Sequence, residues 1–163
     1  MLNTDALKTP DFMREMKRGE EPAVSALLDA AFGQKDEAQL VETLRKSRAI
    51  AGEMVLPMGG EVIGYAALSK MVSPKGWLCL APVAIRPDLQ ARGFGRRLVG
   101  MISQWAEMSG QTVVVLGDPA FYTRCGFAPV AEDFTSPYPL DHTLVAGPAK
   151  GKIRTLTYPK AFG

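Results

Sequence analysis

The sequence predicts an α/β (α+β) fold, a mixed central sheet with helices on both faces. Three features predict it. An apolar strand pattern over Trp77–Ile85 passes through a basic glycine loop into a helical pattern, and a second strand pattern, Thr112–Leu116, follows. A strand–helix–strand crossover of this kind is right-handed and makes its two strands parallel. Two further strand patterns flank Gly59-Gly60, a pair that accepts the positive φ values of a tight hairpin turn. Two amphipathic helical patterns precede that hairpin.

In chain order, Met1–Pro10 is polar and reads as a loose leader, and Phe12–Met16 as a short strand. Glu20 and Glu21 suit a helix start, Val24, Leu27, Leu28, Ala31 and Phe32 form its apolar face, and Gly33 ends it. Asp36 is expected to cap a second helix with Leu40, Val41 and Leu44 on one face. Met54–Met58 and Val62–Leu68 are the hairpin strands, and Ser73–Gly76 is the next turn. The nearly unbroken apolar run Trp77–Ile85 indicates a strand buried on both faces. Phe94, Leu98, Met101, Ile102 and Trp105 recur at about 3.6 residues, so Trp105 is expected in the core. Thr112–Leu116 is β-branched, Ala120–Cys125 a short helix, Pro129–Lys150 loop-rich, and Lys152–Tyr158 alternates as a final edge strand would.

With 163 residues and 47% of them hydrophobic, the chain can bury a substantial core as one domain, residues 1–163. The net charge of +2 is scattered, which argues against a dedicated nucleic-acid binder. No apolar run reaches membrane-spanning length and no apolar signal segment opens the chain. Cys79 and Cys125 stand apart in no metal-ligand spacing. These features together predict a soluble, cytoplasmic protein with reduced thiols and no metal centre.

The loop Gln90-Ala91-Arg92-Gly93-Phe94-Gly95 carries the first chemical signal. Its glycines let backbone N–H groups converge, and the following helix adds unpaired N–H groups and the positive end of its dipole. That geometry binds phosphate. Arg92, Arg96 and Arg97 supply charge, and cations at a helix N-terminus are unfavourable without an anion beside them. No Gly-Lys-Ser/Thr follows, so this is not a Walker loop, and Leu98 replaces the third glycine of a dinucleotide fingerprint. A solvated basic turn is the alternative reading.

Gln-x-x-Gly-x-Gly after a Val-Ala-Ile-x-Pro strand resembles the acyl-coenzyme-A loop of the GNAT superfamily of N-acetyltransferases. A second unit, Tyr122-x-x-x-Gly126-Phe127 after the next strand, is similar to that family's other local signature. Leu116-Gly117-Asp118-Pro119 resembles a bacterial subgroup, the YhbS-like acetyltransferases. The resemblance runs from Phe12 through Phe127. It implies the GNAT fold, whose mixed sheet is mostly antiparallel.

The resemblance also implies acetyl transfer from acetyl-CoA to a primary amine, by direct attack in a ternary complex. On that basis Gln90, Ala91, Arg92, Gly93, Phe94, Gly95 and Arg96 would wrap the pyrophosphate. The backbone of Val83, Ala84 and Ile85 would pair with pantetheine, and an N–H near Val83 or Ala84 would face the developing oxyanion. The strands Trp77–Ile85 and Thr112–Leu116 would splay to admit the thioester. Tyr122 would be the general acid for the leaving thiolate. Its alternative is a packed amphipathic side chain. Asp118 is a candidate base or amine-orienting group, and equally ordinary turn and cap chemistry before Pro119. His142 is the only histidine and lies in the loop-rich tail. The strand Trp77–Ile85 carries no carboxylate, which leaves a CoA-binding regulatory module without turnover as an alternative, beside transfer of another acyl group. The Pro-rich tail or an edge strand could mediate a homodimer.

Overall fold

The computed structural model describes residues 10–163. Apart from buried Pro10, the expected leader therefore lies outside the described residues. The elements are β1 (Arg14–Glu15), α1 (Glu21–Phe32), α2 (Asp36–Lys46), β2 (Ile50–Met58), β3 (Glu61–Lys70), β4 (Leu78–Ile85), α3 (Phe94–Ser109), β5 (Val113–Leu116), α4 (Pro119–Arg124), β6 (Ala128–Pro129) and β7 (Thr143–Ala146). The seven strands form one sheet in the order β1-β2-β3-β4-β5-β7-β6. Every neighbouring pair is antiparallel except β4 and β5. The expected mixed, mostly antiparallel sheet is the observed one.

Local signals explain most of the elements. Gly33 closes α1 in the left-handed conformation at φ 68°, with its N–H donating to the Asp29 carbonyl. Gly59 and Gly60, at φ 57° and 81°, make the hairpin turn. The hairpin strands reach further than expected, through Ile50 opposite Ser69, because each outer residue gains a ladder partner. Asp36 is the first residue of α2 rather than its cap. Lys35 precedes the helix without a side-chain cap bond, and Asp36 and Glu37 favour the start through the helix dipole.

The two sheet faces are covered differently. On one, Leu98, Val99, Ile102 and Ala106 of α3 pack on Leu56, Ile63, Ala66, Leu68, Leu80, Val113 and Val115. Leu98, Val99 and Ile102 are essentially fully buried, and each such side chain contributes about 2 kcal/mol of transfer free energy. They anchor the helix that carries the glycine loop. On the other face, α1 and α2 cover Val55, Tyr65, Ala67 and Ala84. The chain after β6 lays Phe134, Leu156 and Tyr158 over Trp77, Cys79 and Val114 on that same face.

Three further expectations need correction. Trp105 is 40% exposed, because the buried stripe of α3 runs through Val99, Ile102 and Ala106 and leaves Trp105 at its margin. The segment Pro129–Lys150 contains β7, which pairs along the whole of β5 from Val113 opposite Ala146 to Leu116 opposite Thr143. Lys152–Tyr158 is not an edge strand. It crosses the sheet face and makes only isolated bridges, Ser73 with Thr157 and Thr135 with Thr155. Its alternation records one side packed on the sheet and one in solvent.

Candidate active site

The site forms where the single parallel pair comes apart. β4 and β5 are in register only at Leu78 opposite Val113 and Cys79 opposite Val114. Beyond that point β5 continues with β7 and β4 with β3, so an opening develops between them. The register of β4 also slips here, between Ala66 opposite Val83 and Leu68 opposite Leu80. Ala81 and Pro82 are both accommodated against Ala67, and such a bulge bends the strand away from its neighbour.

Backbone alternation decides which groups face the opening. The Arg86 N–H donates to the Ile63 carbonyl, so Ala84, two residues back, also directs its peptide groups toward β3. Val83 and Ile85 direct theirs toward β5. Of the three expected pantetheine partners, Val83 and the Ile85 N–H therefore face the opening and Ala84 does not. The Ile85 carbonyl is occupied by the Gln90 side-chain amide, which donates to it at 3.0 Å and ties the loop to the strand end.

A 3₁₀ turn, Pro87–Leu89, leads into the glycine loop. Ala91 at φ 62° and Gly93 at φ 84° are both left-handed, so successive N–H groups turn to one side. The Phe94 ring packs against the core, and α3 opens with no side-chain cap, leaving its first N–H groups available. A Cβ at Gly95 would stand 3.7 Å from Ile85 and 3.8 Å from the Phe121 ring, so the helix start is wedged between β4 and α4. Arg92, Arg96 and Arg97 take part in no ion pair among the described residues. Arg86 differs. Its guanidinium holds Asp88 at 2.7 Å and Glu61 at 2.6 Å, which fixes it at the hairpin end.

Tyr122 lies on α4, half-buried, with its ring edge-to-face against Phe121 and Phe127 at 5.0 and 5.6 Å. Burial, with the Cys125 and Cys79 thiols adding, pushes its hydroxyl up to about 12, so it stays protonated throughout the neutral range. Gly117, which the sequence reading placed in a motif without a site role, lies against this ring. A Cβ there would stand 2.5 Å from the Tyr122 ring, and only glycine leaves room for it. Its signal was the position, one residue before the helix turn.

Asp118 caps α4. Its Oδ1 accepts from the Ala120 N–H at 3.1 Å, and its carbonyl accepts from the Tyr122 N–H. His142, which the sequence left in a loop, is brought beside Gly117 by β7. The Gly117 N–H donates to its carbonyl at 2.9 Å, and its Nδ1 lies 3.3 Å from the Gly117 oxygen. Among the described residues no group of three or more His, Cys, Asp or Glu side chains could hold a metal ion, and no helix is long and apolar enough to cross a membrane.

A sheet opened at its one parallel pair, with a glycine–arginine loop at one end and a half-buried phenol beside the gap, is the arrangement expected of the family that the two sequence motifs resemble. Residues 14–127 match the acetyltransferase (GNAT) family profile. The uncharacterized N-acetyltransferase YhbS of Escherichia coli (strain K12) is 37% identical over 112 residues, which span 65% of this chain and 66% of YhbS, just under two thirds of that relative's length. The crystal structure of YhbS from Escherichia coli in complex with CoA superposes with a TM-score of 0.82 at 30% identity, over 93% of this chain and 91% of that one. A GNAT family acetyltransferase from Brucella melitensis in complex with acetyl-CoA shares the fold at a TM-score of 0.77 and 24% identity, over 93% and 97% of the two chains. The chain belongs to the GNAT acetyltransferase family.

Proposed function

We propose that this chain, working as a single domain, transfers an acetyl group from acetyl-CoA to a primary amine by direct attack in a ternary complex. The observation that carries this reading is the parting of β4 and β5 beyond Cys79 and Val114, with Tyr122 beside it and, at its end, arginines that form no ion pair among the described residues. The likeness to a CoA-bound relative supports it.

The residues divide the work as follows. Gly93, Gly95 and the start of α3 offer N–H groups to the pyrophosphate, and Arg92 and Arg96 balance its charge. Ala91 supplies the left-handed turn that aims those groups. Val83 and Ile85 extend the β4 edge toward pantetheine, as a strand would toward an added neighbour. The Val83 N–H, directed into the gap, is the donor for charge that develops on the thioester oxygen.

Tyr122 gives its proton to the leaving sulfur. In the balanced step the amine nitrogen bonds to the acetyl carbon, the carbon–sulfur bond breaks, and the sulfur takes the phenolic proton. The surplus proton on nitrogen passes to water at the open mouth, and solvent returns one to Tyr122. Asp118 is a positioning residue in this scheme. Its carboxylate holds the first turn of α4, and through it the azimuth of Tyr122.

Calorimetric titration with acetyl-CoA, CoA and succinyl-CoA tests the reading. Binding that favours the acetyl form agrees with it. Equal binding of all three would instead fit a coenzyme-binding module, and absence of binding would reduce the Gln90–Arg96 loop to a turn.

A further inference from the structure

The parting of β4 and β5 opens on both faces of the sheet. On the face under α3, Phe94, Phe121 and Tyr122 pack on the core beside it. On the opposite face stands a second set of aromatic rings. Tyr158 lies over Cys79 and Val114, the last paired residues of β4 and β5. Tyr138 and Phe162 meet its ring near edge-on, with ring centres 5.0 and 6.3 Å away. Ala81, two residues past the parting, and Leu140 complete a half-buried apolar rim.

Two hydroxyls at this place are unused. Three buried side-chain polar atoms among the described residues lack a hydrogen-bond partner, and two of them are the Tyr158 hydroxyl and Ser69 Oγ. Tyr158 is 9% exposed and Ser69 fully buried. Ser69 is the cross-strand partner of Cys79, so both side chains leave the same face of the sheet. Ser136 approaches the Tyr158 phenol but stays outside hydrogen-bond geometry. The Cys79 thiol adds to the upward shift of both Tyr158 and Tyr122, so the two phenols approach one point of β4 from opposite faces. A buried hydroxyl without a partner destabilises a fold, and phenylalanine would fill the same space without that penalty. What the hydroxyl adds is a donor and an acceptor for a ligand. The cover above it is thin. One hydrogen bond, from the Tyr138 hydroxyl to the Phe162 carbonyl at 3.1 Å, joins the two half-buried rings.

We propose that this rim and the Tyr158 hydroxyl form the acceptor subsite, and that it selects a primary amine carried on an apolar body. The body lies among Tyr138, Leu140 and Phe162, and an amine N–H donates to the Tyr158 oxygen. The inference rests on the acetyl-transfer reading above. The glycine loop and α3 serve the coenzyme from one face, so an acceptor entering from the other does not compete with it for one entrance. The rings draw in the ammonium form, since an aromatic face attracts a cation. A second charge on the acceptor would be stripped of water against the apolar rim, which disfavours a diamine. The Tyr138 and Phe162 rings shift to admit the amine, at the expense of the one bond between them.

The test measures free-thiol release by the full chain with saturating acetyl-CoA and either 2-phenylethylamine or 1,4-diaminobutane. Tyr158→Phe and Phe162→Ala are assayed beside the unmodified chain, with calorimetric scans of each. The unmodified chain is expected to use phenylethylamine with a kcat/KM at least tenfold above that for diaminobutane. Tyr158→Phe is expected to raise the KM for phenylethylamine about tenfold, the effect of one lost hydrogen bond, with acetyl-CoA affinity unchanged. Its unfolding midpoint is expected to rise by a few degrees, because the unpaired hydroxyl is gone. Phe162→Ala is expected to raise the KM for phenylethylamine severalfold and to leave that for diaminobutane within about twofold. A raised midpoint with an unchanged KM in Tyr158→Phe overturns the subsite, since the hydroxyl would then be only an unpaired core group. Preference for diaminobutane also overturns it and leaves acetyl transfer standing. Acetyl-CoA bound without release to either amine overturns the subsite as well, and failure to bind acetyl-CoA removes the acetyl-transfer reading with it.

Discussion

The ring of Tyr122 rests on the backbone of Gly117, so closely that a Cβ at Gly117 would stand 2.5 Å from ring atom Cε2. One residue of β5's exit thereby fixes where the phenol points. Gly117→Ala is expected to drive the ring from its seat and to lower turnover toward that of Tyr122→Phe. Overpacking of this kind costs about 1–3 kcal/mol. Parallel assays of thermal unfolding, acetyl-CoA affinity and turnover check it, and an alanine variant with full turnover would show that the ring's seat does not matter.

Asp118 separates two chemistries. As a helix cap it can be replaced by Asn or Ser at little cost, whereas Ala loses the bond to the Ala120 N–H and about 1 kcal/mol. As a proton acceptor it could not become Asn without severe loss. Asp118→Asn is expected to keep most activity and Asp118→Ala to lose more. The reverse order, with Asn inactive, would return the base role to this carboxylate.

Ala91 stands at φ 62°, a conformation that costs an L-residue about 1–2 kcal/mol and that sits at the heart of the loop. Ala91→Gly removes that cost, and a rise of a few degrees in the unfolding midpoint is expected. Ala91→Val is expected to lower it and to weaken acetyl-CoA binding. Calorimetric scans of the three proteins, with and without ligand, decide the matter.

Alkaline pH is expected to destabilise the fold through its buried phenols. Burial is the first cause for Tyr122 and Tyr158, both pushed up to about 12, and for Tyr65, which is raised further beside Glu53. A raised phenol stays neutral in the folded chain while its unfolded counterpart ionises near pH 10. The stabilising contribution is thus complete below pH 10 and is lost as pH rises toward 12, by a few kcal/mol in all. Denaturant titrations between pH 8 and 11.5 measure it, and a flat profile would contradict the burial of these hydroxyls.

Much of this was legible in the sequence because single residues governed single features. Gly59-Gly60 set the hairpin turn, Gly33 ended α1, and the loop before α3 announced itself by glycines and arginines that no core requires. Features that depend on distant partners were not legible. Thr143–Ala146 is too short and too closely flanked by prolines to read as a strand, and becomes one only because β5 offers it a full edge. His142 and Gly117 meet for the same reason. Trp105 keeps the helical period of its neighbours, yet the buried stripe of α3 runs through Val99, Ile102 and Ala106 and leaves it at the rim. Which of Val83 and Ala84 faces the gap hangs on one register, fixed by the Arg86–Ile63 bond.

The most direct measurement of the central claim is the release of free thiol from saturating acetyl-CoA on addition of a panel of primary amines, with the unmodified chain and Tyr122→Phe side by side. The account predicts amine-dependent thiol release that falls about a hundredfold or more in Tyr122→Phe while acetyl-CoA affinity is unchanged. Acetyl-CoA bound without thiol release across the panel, or undiminished release by the phenylalanine variant, would contradict it.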